Sequence, residues 1–135
     1  MNDAISWLPE PDEHNRPFFD GAREEELRLQ CCDECGGWRY PVKRRCQHCG
    51  STSLGWRAAS GRGTLYSHAR LQRVYHPRHE GRLPVVLAWV DLEEGVRIAT
   101  NLVGCDPAEA KAGMPVEVTF ERFPDGAAIP VFQPA

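Results

Sequence analysis

Five of the chain's six cysteines fall between residues 31 and 49, and four of them repeat one spacing. Cys32-Asp33-Glu34-Cys35 is followed, after ten further residues, by Cys46-Gln47-His48-Cys49. A C-x-x-C turn aims two sulfurs at one point. Two such turns facing each other offer four thiolates in a tetrahedron, the environment zinc prefers, at about 2.3 Å from the ion. Gly36 and Gly50 each follow the second cysteine of a pair. A positive φ there lets the backbone fold back and turn N–H groups toward the sulfurs. Other uses of paired cysteines fit less well. A disulfide framework belongs to secreted chains, and Met1 to Glu10 carry acidic and proline residues without a basic-then-apolar signal. A redox C-x-x-C stands singly beside a βαβ pattern.

Cys32, Cys35, Cys46 and Cys49 are therefore read as the ligands of one structural zinc per chain, although a four-thiolate site also accepts iron in vitro. Four protein ligands leave no position open for water or substrate, which is the mark of a structural rather than a catalytic site. Using Cys31 in place of Cys32 would make the first turn C-x-x-x-C and break the symmetry, so Cys31 is read as an unligated neighbour. Cys105, far downstream, reads as a small buried apolar residue without a basic context to activate it.

The remaining chemistry-bearing residues form no catalytic set. His76-Pro77-Arg78-His79 has no carboxylate placed to orient a histidine, and reads as a solvated or interface loop. Arg78 and Arg82 are its candidates for phosphate or partner contact. There is no serine elbow, no helical H-E-x-x-H, no Walker loop and no G-x-G-x-x-G turn. Gly61-Arg62-Gly63 is too short to cradle a pyrophosphate and reads as a bend entering a strand. Trp38, Tyr40 and Trp56 lie on or beside the cysteine segment, where they either cover the metal site or present a sticky face, cover being the expected role.

The elements that must position these residues follow from periodicity. Residues 11–30 read as helix, with Asp12 or Asn15 as cap, Pro17 in the first turn and Ala22 to Leu29 rich in helix formers. The phenylalanines Phe18 and Phe19 leave it equally suited to pack at home or on a partner. From Leu65 to Val74, Pro84 to Leu92 and Val96 to Val103 the pattern is strand-like, with Glu93-Glu94-Gly95 as a hairpin connection. Asp106 caps a short helical turn opened by Pro107, and Met114 to Phe123 and Ala128 to Phe132 supply two further strands around an Asp125-Gly126 turn. Five strands with a short helix between the third and fourth is the order of an OB-fold barrel; a β-sandwich would want more strands. The expected fold is mainly β with an N-terminal helix. Residues 1–30 form a helical segment, 31–55 a rubredoxin-like zinc ribbon, and 56–135 a five-stranded OB-fold domain.

Composition narrows the function class. With 135 residues, 41% hydrophobic and 26% charged, the chain suits a compact domain with a small satellite. No run approaches the roughly 20 apolar residues needed to cross a bilayer, and the chain is read as cytoplasmic. Net charge is −3 and the pI about 5.9, with only Lys43 and Lys111 as lysines. That weighs against the alternative reading, a single-stranded nucleic-acid-binding protein, for which Tyr66, Arg70 and Arg73 on the first barrel strand are the candidate surface.

Leu29-Gln30 before Cys32, Cys35-Gly36, Pro41, Arg45-Cys46, Cys49-Gly50-Ser51, Trp56 and Ser60-Gly61-Arg62-Gly63 follow one another in a familiar order. Pro84 to Ala88, Leu92 to Val96, Asn101 to Gly104, Gly113 to Val116 and Pro130-Val131-Phe132 continue it. From about residue 11 to 134 the chain resembles the acyl-CoA-associated zinc-ribbon/OB-fold family, domain of unknown function 35. The resemblance implies an accessory protein rather than an enzyme. Its expected partner is a thiolase-like subunit, such as a thiolase, a hydroxymethylglutaryl-CoA synthase or a sterol-carrier-type thiolase homologue acting as retro-aldolase on steroid side-chain CoA esters. It also implies a heterotetramer with two copies of each subunit, in which the small protein helps shape the CoA thioester channel. Some relatives lose the zinc ligands, whereas this chain keeps all four. Two departures stand out: Cys31 where a basic residue is expected, and a basic rather than apolar loop from Tyr75 to Arg82.

Overall fold

The structure is a computed structural model that describes residues 10–73, 81, 84–124 and 126–135. The loop residues His76, Arg78, His79 and Arg82, Val74 at the end of the expected first barrel strand, and Asp125 of the expected turn lie outside the described residues.

Helix α1 covers Arg16–Arg23, much less than the 11–30 expected. The reason is tertiary. Leu27, Leu29 and Cys31 alternate with Arg28 and Gln30, a period-two pattern hidden beneath helix-favouring Glu and Arg residues. Strand β1 (Arg28–Cys32) pairs antiparallel with β3 (Leu54–Ala58) along five residue pairs, while β2 (Trp38–Arg39) flanks its other edge. The chain reverses between α1 and β1 through Glu25 at φ 61. Arg28 then folds back to ion-pair with Glu24 at 2.6 Å and Glu26 at 2.8 Å. Sheet pairing thus overrides local helix preference. Ahead of α1, Asp12 Oδ1 accepts from the N–H groups of His14 and Asn15, and Asn15 Oδ1 accepts from Asp12 N–H, so the two candidate caps bind each other's turn rather than the helix end.

The second sheet closes on itself. Strands β4 (Arg62–Leu71), β5 (Val85–Leu92), β6 (Arg97–Leu102), β7 (Pro115–Arg122) and β8 (Ala128–Pro134) form a barrel in the order β4-β5-β6-β8-β7. All pairs are antiparallel except β6 and β8, which meet in parallel at Leu102 and Phe132. This is the OB-fold arrangement. The β5–β6 hairpin turns where expected, with Gly95 at φ 88. The short helical turn between β6 and β7 is a 3₁₀ turn, Pro107–Glu109, and Asp106 Oδ1 accepts from Ala108 N–H at 2.9 Å as its cap.

One core serves both sheets. Val86, Ala88, Val90 and Leu92 of β5 point inward with Leu65, Ile98, Val116 and Phe132, and Leu29 of β1 and Leu27 just ahead of that strand join the same cluster. Helix α1 packs against β1 and β8, so it docks at home. Gly61 enters β4 with its Cα against Val118: a Cβ there would stand 2.4 Å from Val118 Cγ1. The Gly-Arg-Gly segment is a close-approach bend, as its length implied.

Candidate metal centre

The two C-x-x-C turns are near copies of each other. Gly36 N–H donates to Cys32 O and Gly50 N–H to Cys46 O, each at 2.9 Å. Cys32 N–H reaches Gly37 O and Cys46 N–H reaches Ser51 O, each at 2.8 Å. Gly36 and Gly50 take φ of 74° and 76°, a conformation that other residues adopt only with strain. The N–H groups of Glu34 and Cys35 point at the Cys32 sulfur, and those of His48 and Cys49 at the Cys46 sulfur.

These turns bring together the sulfurs of Cys32, Cys35, Cys46 and Cys49, all within 4.8 Å of one another. Cys32 and Cys49 are 3.6 Å apart, as are Cys35 and Cys46. Sulfurs set about 2.3 Å from a central ion form a tetrahedron with edges near 3.8 Å. The donor set and its dimensions therefore fit a divalent metal. Cys31 stays outside the cluster, buried on the opposite side of β1, with its sulfur 3.5 Å from Gly36 O.

The thiol electrostatics also call for a cation. The Cys49 N–H, working against burial, and the Arg39 guanidinium draw the Cys46 thiol down to about 5. Cys32 is lowered too, first by the Cys35 N–H. At Cys49 the Ser51 N–H favours the thiolate, but burial and the neighbouring sulfurs outweigh it and leave the thiol at about 12. Cys35 is raised as well: the Gly37 N–H is overcome by Cys46 and burial. Four sulfurs this close cannot all ionise unless a positive ion joins them.

Sequence reasoning missed two residues here. Gln30, 6% exposed, donates through Nε2 to Lys43 O at 2.8 Å and accepts from Lys43 N–H at 2.7 Å. It ties β1 to the segment leading into the second turn. Arg39 lies inside the ribbon, its Nη2 2.9 Å from Cys46 Sγ. A cation four residues past Cys35 was the only signal for Arg39. The three aromatics knit the ribbon to the rest of the molecule. Trp38 and Tyr40 pack against the shared core, and Tyr40 Oη donates to Ala99 O on β6 at 3.3 Å. Trp56 lines an apolar cleft of about 180 Å³ with Phe18, Phe19, Tyr40 and Val42. Cys105 is half-buried, and burial pushes its thiol up, away from nucleophilic use.

On the barrel, Tyr66 sits at a bulge in β4 and is 51% exposed. Arg97 covers its ring at 3.4 Å from the centroid and is itself held by Asp91 through two hydrogen bonds, at 2.6 and 3.2 Å. That ring face is taken, which weakens Tyr66 as a stacking platform for a base. Leu87 and Trp89 of β5 stand exposed beside small residues of β4 and β6, including Ala69 and Ala99.

The family model described as "ChsH2, rubredoxin-like zinc ribbon domain" matches residues 19–55, and "ChsH2, C-terminal OB-fold domain" matches residues 56–121. The solved "Ltp2-ChsH2(DUF35) aldolase" contains a chain that superposes with a TM-score of 0.85 at 35% identity, over 94% of this chain and 98% of that one. The chain belongs to the ChsH2-type DUF35 family. Within the family, it is 39% identical to a 3-oxo-4,17-pregnadiene-20-carboxyl-CoA hydratase alpha subunit of Mycobacterium tuberculosis, over 86% of this chain. It is 33% identical to a DUF35 domain-containing scaffold protein of Methanocaldococcus jannaschii, over 68% of this chain and 65% of that one. The chain spans 41% and 39% of the lengths of the two hydratase alpha subunits it matches. Among the described residues no helix is long and apolar enough to cross a membrane.

Proposed function

We propose that the chain is a non-catalytic accessory subunit that binds and stabilises a thiolase-like enzyme acting on acyl-CoA thioesters, steroid side-chain CoA esters among them. One zinc ion, held by Cys32, Cys35, Cys46 and Cys49, stiffens the ribbon that grips this partner. The observation that carries the reading is the near-complete likeness to a chain of the solved "Ltp2-ChsH2(DUF35) aldolase". The relative named as a scaffold protein and the pregnadiene-carboxyl-CoA relative support the role and the substrate class. Leu87 and Trp89, exposed side by side on the barrel, suit a partner surface. The assembly holds two copies of each subunit and works in the cytoplasm. Arg78 and Arg82 serve CoA phosphates or the partner, and the substrate channel forms between the two proteins.

Co-expression with a thiolase-like protein tests this. A complex with equal numbers of both chains should elute on size exclusion, and only the complex should turn over acyl-CoA. The reading fails if the purified chain alone performs the reaction, or if it ignores the partner and binds single-stranded DNA at moderate salt. Elemental analysis should give one zinc per chain, and a value well below one sinks the metal assignment.

A further inference from the structure

Arg39 is buried, 8% exposed, and its Nε is the one buried side-chain nitrogen or oxygen among the described residues without a hydrogen-bond partner. Nη2 donates to Cys46 Sγ at 2.9 Å and lies 3.9 Å from Cys35 Sγ, while Nη1 donates to Trp38 O at 2.5 Å. None of these partners is a carboxylate. A guanidinium does not give up its proton, so Arg39 carries its charge into the protein. Such a charge is tolerated only where an opposite charge faces it. The sulfurs supply it: four thiolates around a divalent ion keep a formal double negative charge. The chain also makes room for the guanidinium. A Cβ on Gly37 would stand 2.8 Å from Nη2 and 2.9 Å from Nη1.

We propose that Arg39 is the fixed counter-charge of the metal centre, drawing charge from the tetrathiolate through Cys46 so that the site holds its metal and resists electrophiles. This rests on the zinc reading above. It makes the two turns, alike in backbone, unequal in function. Cys32 accepts backbone N–H groups, whereas Cys46 accepts those and a full positive charge. Partner residues of this kind are typically worth roughly 10- to 100-fold in metal affinity. Arg39 is a positioning residue for the metal and touches no substrate.

The test uses the full chain with Arg39→Gln, Arg39→Lys and Gly37→Ala. Wild-type protein is first checked for zinc; no zinc there would defeat the metal assignment itself. In zinc-loaded protein, a chromogenic chelator reports metal release after addition of excess N-ethylmaleimide, whose double bond a cysteine sulfur attacks to form a thioether. Arg39→Gln is expected to release zinc on the order of tenfold faster, with Arg39→Lys close to wild type. Gly37→Ala, which displaces the guanidinium without removing it, should fall between them. The second readout is the reduction potential of the iron-loaded centre. It should drop in Arg39→Gln, because lost positive charge favours the ferric form, and stay near wild type in Arg39→Lys. A purely packing role would not order the variants by charge. If Arg39→Gln matches wild type in both readouts, or Lys and Gln shift alike, the counter-charge assignment is overturned. Failure of both Arg39 variants to load metal would also overturn it, marking Arg39 as a packing residue. Failure of Gln alone would support it.

Discussion

The barrel and the ribbon hold together by different physics, though they share one core. In the barrel, β5 alternates side chains in and out, and Leu65, Val90, Val116 and Phe132 are each at most 1% exposed. Closure of the sheet leaves backbone pairing on every strand. In the ribbon, apolar burial ends with β1 and the aromatics at its border. Beyond Tyr40 the buried groups are polar or sulfur: Cys46, with Gln30 and Arg39 reaching across to that segment. The second turn is held by Gln30 and by Arg45 Nη1 donating to Gly50 O at 2.8 Å, and its two sulfurs belong to the four-cysteine cluster that would hold the proposed metal. A hydrophobic core stabilises through area and tolerates small losses. A four-ligand metal site is close to all-or-none, so the two regions should respond to perturbation in separable ways.

Metal removal should open the widest gap between them. Zinc binding supplies roughly 10–16 kcal/mol of folding free energy in small zinc domains. Chelation, or Cys46→Ser, should therefore raise hydrogen exchange across residues 32–53 by more than about 100-fold, leaving amides of β4 and β5 protected. Partner binding should be lost with the ribbon. Acid should act in the same direction. Cys35 and Cys49 have raised thiol pKa values and hold their protons at neutral pH until metal displaces them, so affinity rises with pH and zinc leaves as pH falls. Zinc release titrated against pH measures this. Simultaneous loss of barrel protection would show that ribbon and barrel unfold as one unit.

Phe132→Ala is the complementary stroke. Phe132 is 0% exposed, at the junction where β8 meets both β6 and β7. Its truncation should cost about 3–5 kcal/mol, read from urea denaturation. The loss should be the same in zinc-loaded and zinc-free protein, because the side chain packs in the core cluster with Leu65, Val90 and Val116. A cost that depended on metal would show the two regions to be coupled.

Much of this division was legible in the residues. The cysteine spacing placed the four sulfurs without further help, since a C-x-x-C turn is a local object closed by its own glycine. The barrel strands followed from two-residue alternation, as at Val86, Ala88 and Val90. Residues 24–30 were misread because Glu24 to Arg28 favour helix locally, while the partner that makes Arg28–Cys32 a strand lies 22 to 30 residues downstream in β3. Gln30 and Arg39 stayed hidden for a related reason. A polar side chain earns its place through what it faces after folding, and Gln30 faces Lys43 across 13 positions.

Gln30→Leu tests that tie at a smaller scale. It keeps the volume and removes both hydrogen bonds to Lys43, leaving that residue's N–H and C=O unpaired. The expected cost is about 1–3 kcal/mol, confined to the ribbon and visible as faster exchange at residues 43–50. Barrel amides should not respond. If the whole protein loses stability evenly, Gln30 belongs energetically to the shared core with Leu29, and the border between the regions lies further out than β1.

The smallest effect on stability should come from the barrel's outer face, and it is the most informative about function. Leu87 and Trp89 are 44% and 48% exposed, on the strand whose alternate residues form the core. Replacing either with Ala should change folding free energy by only about 0.5 kcal/mol, since surface positions of this kind carry little. Their contribution should appear when the partner is present. Aromatic anchors at the centre of an interface are where binding energy concentrates, so Trp89→Ala should weaken capture of the proposed thiolase-like partner by at least about tenfold. Titration of the variant against immobilised partner measures it. Unchanged binding would leave the docking role to the ribbon alone. A stability loss approaching that of Phe132→Ala would mean that this face is part of the chain's own packing.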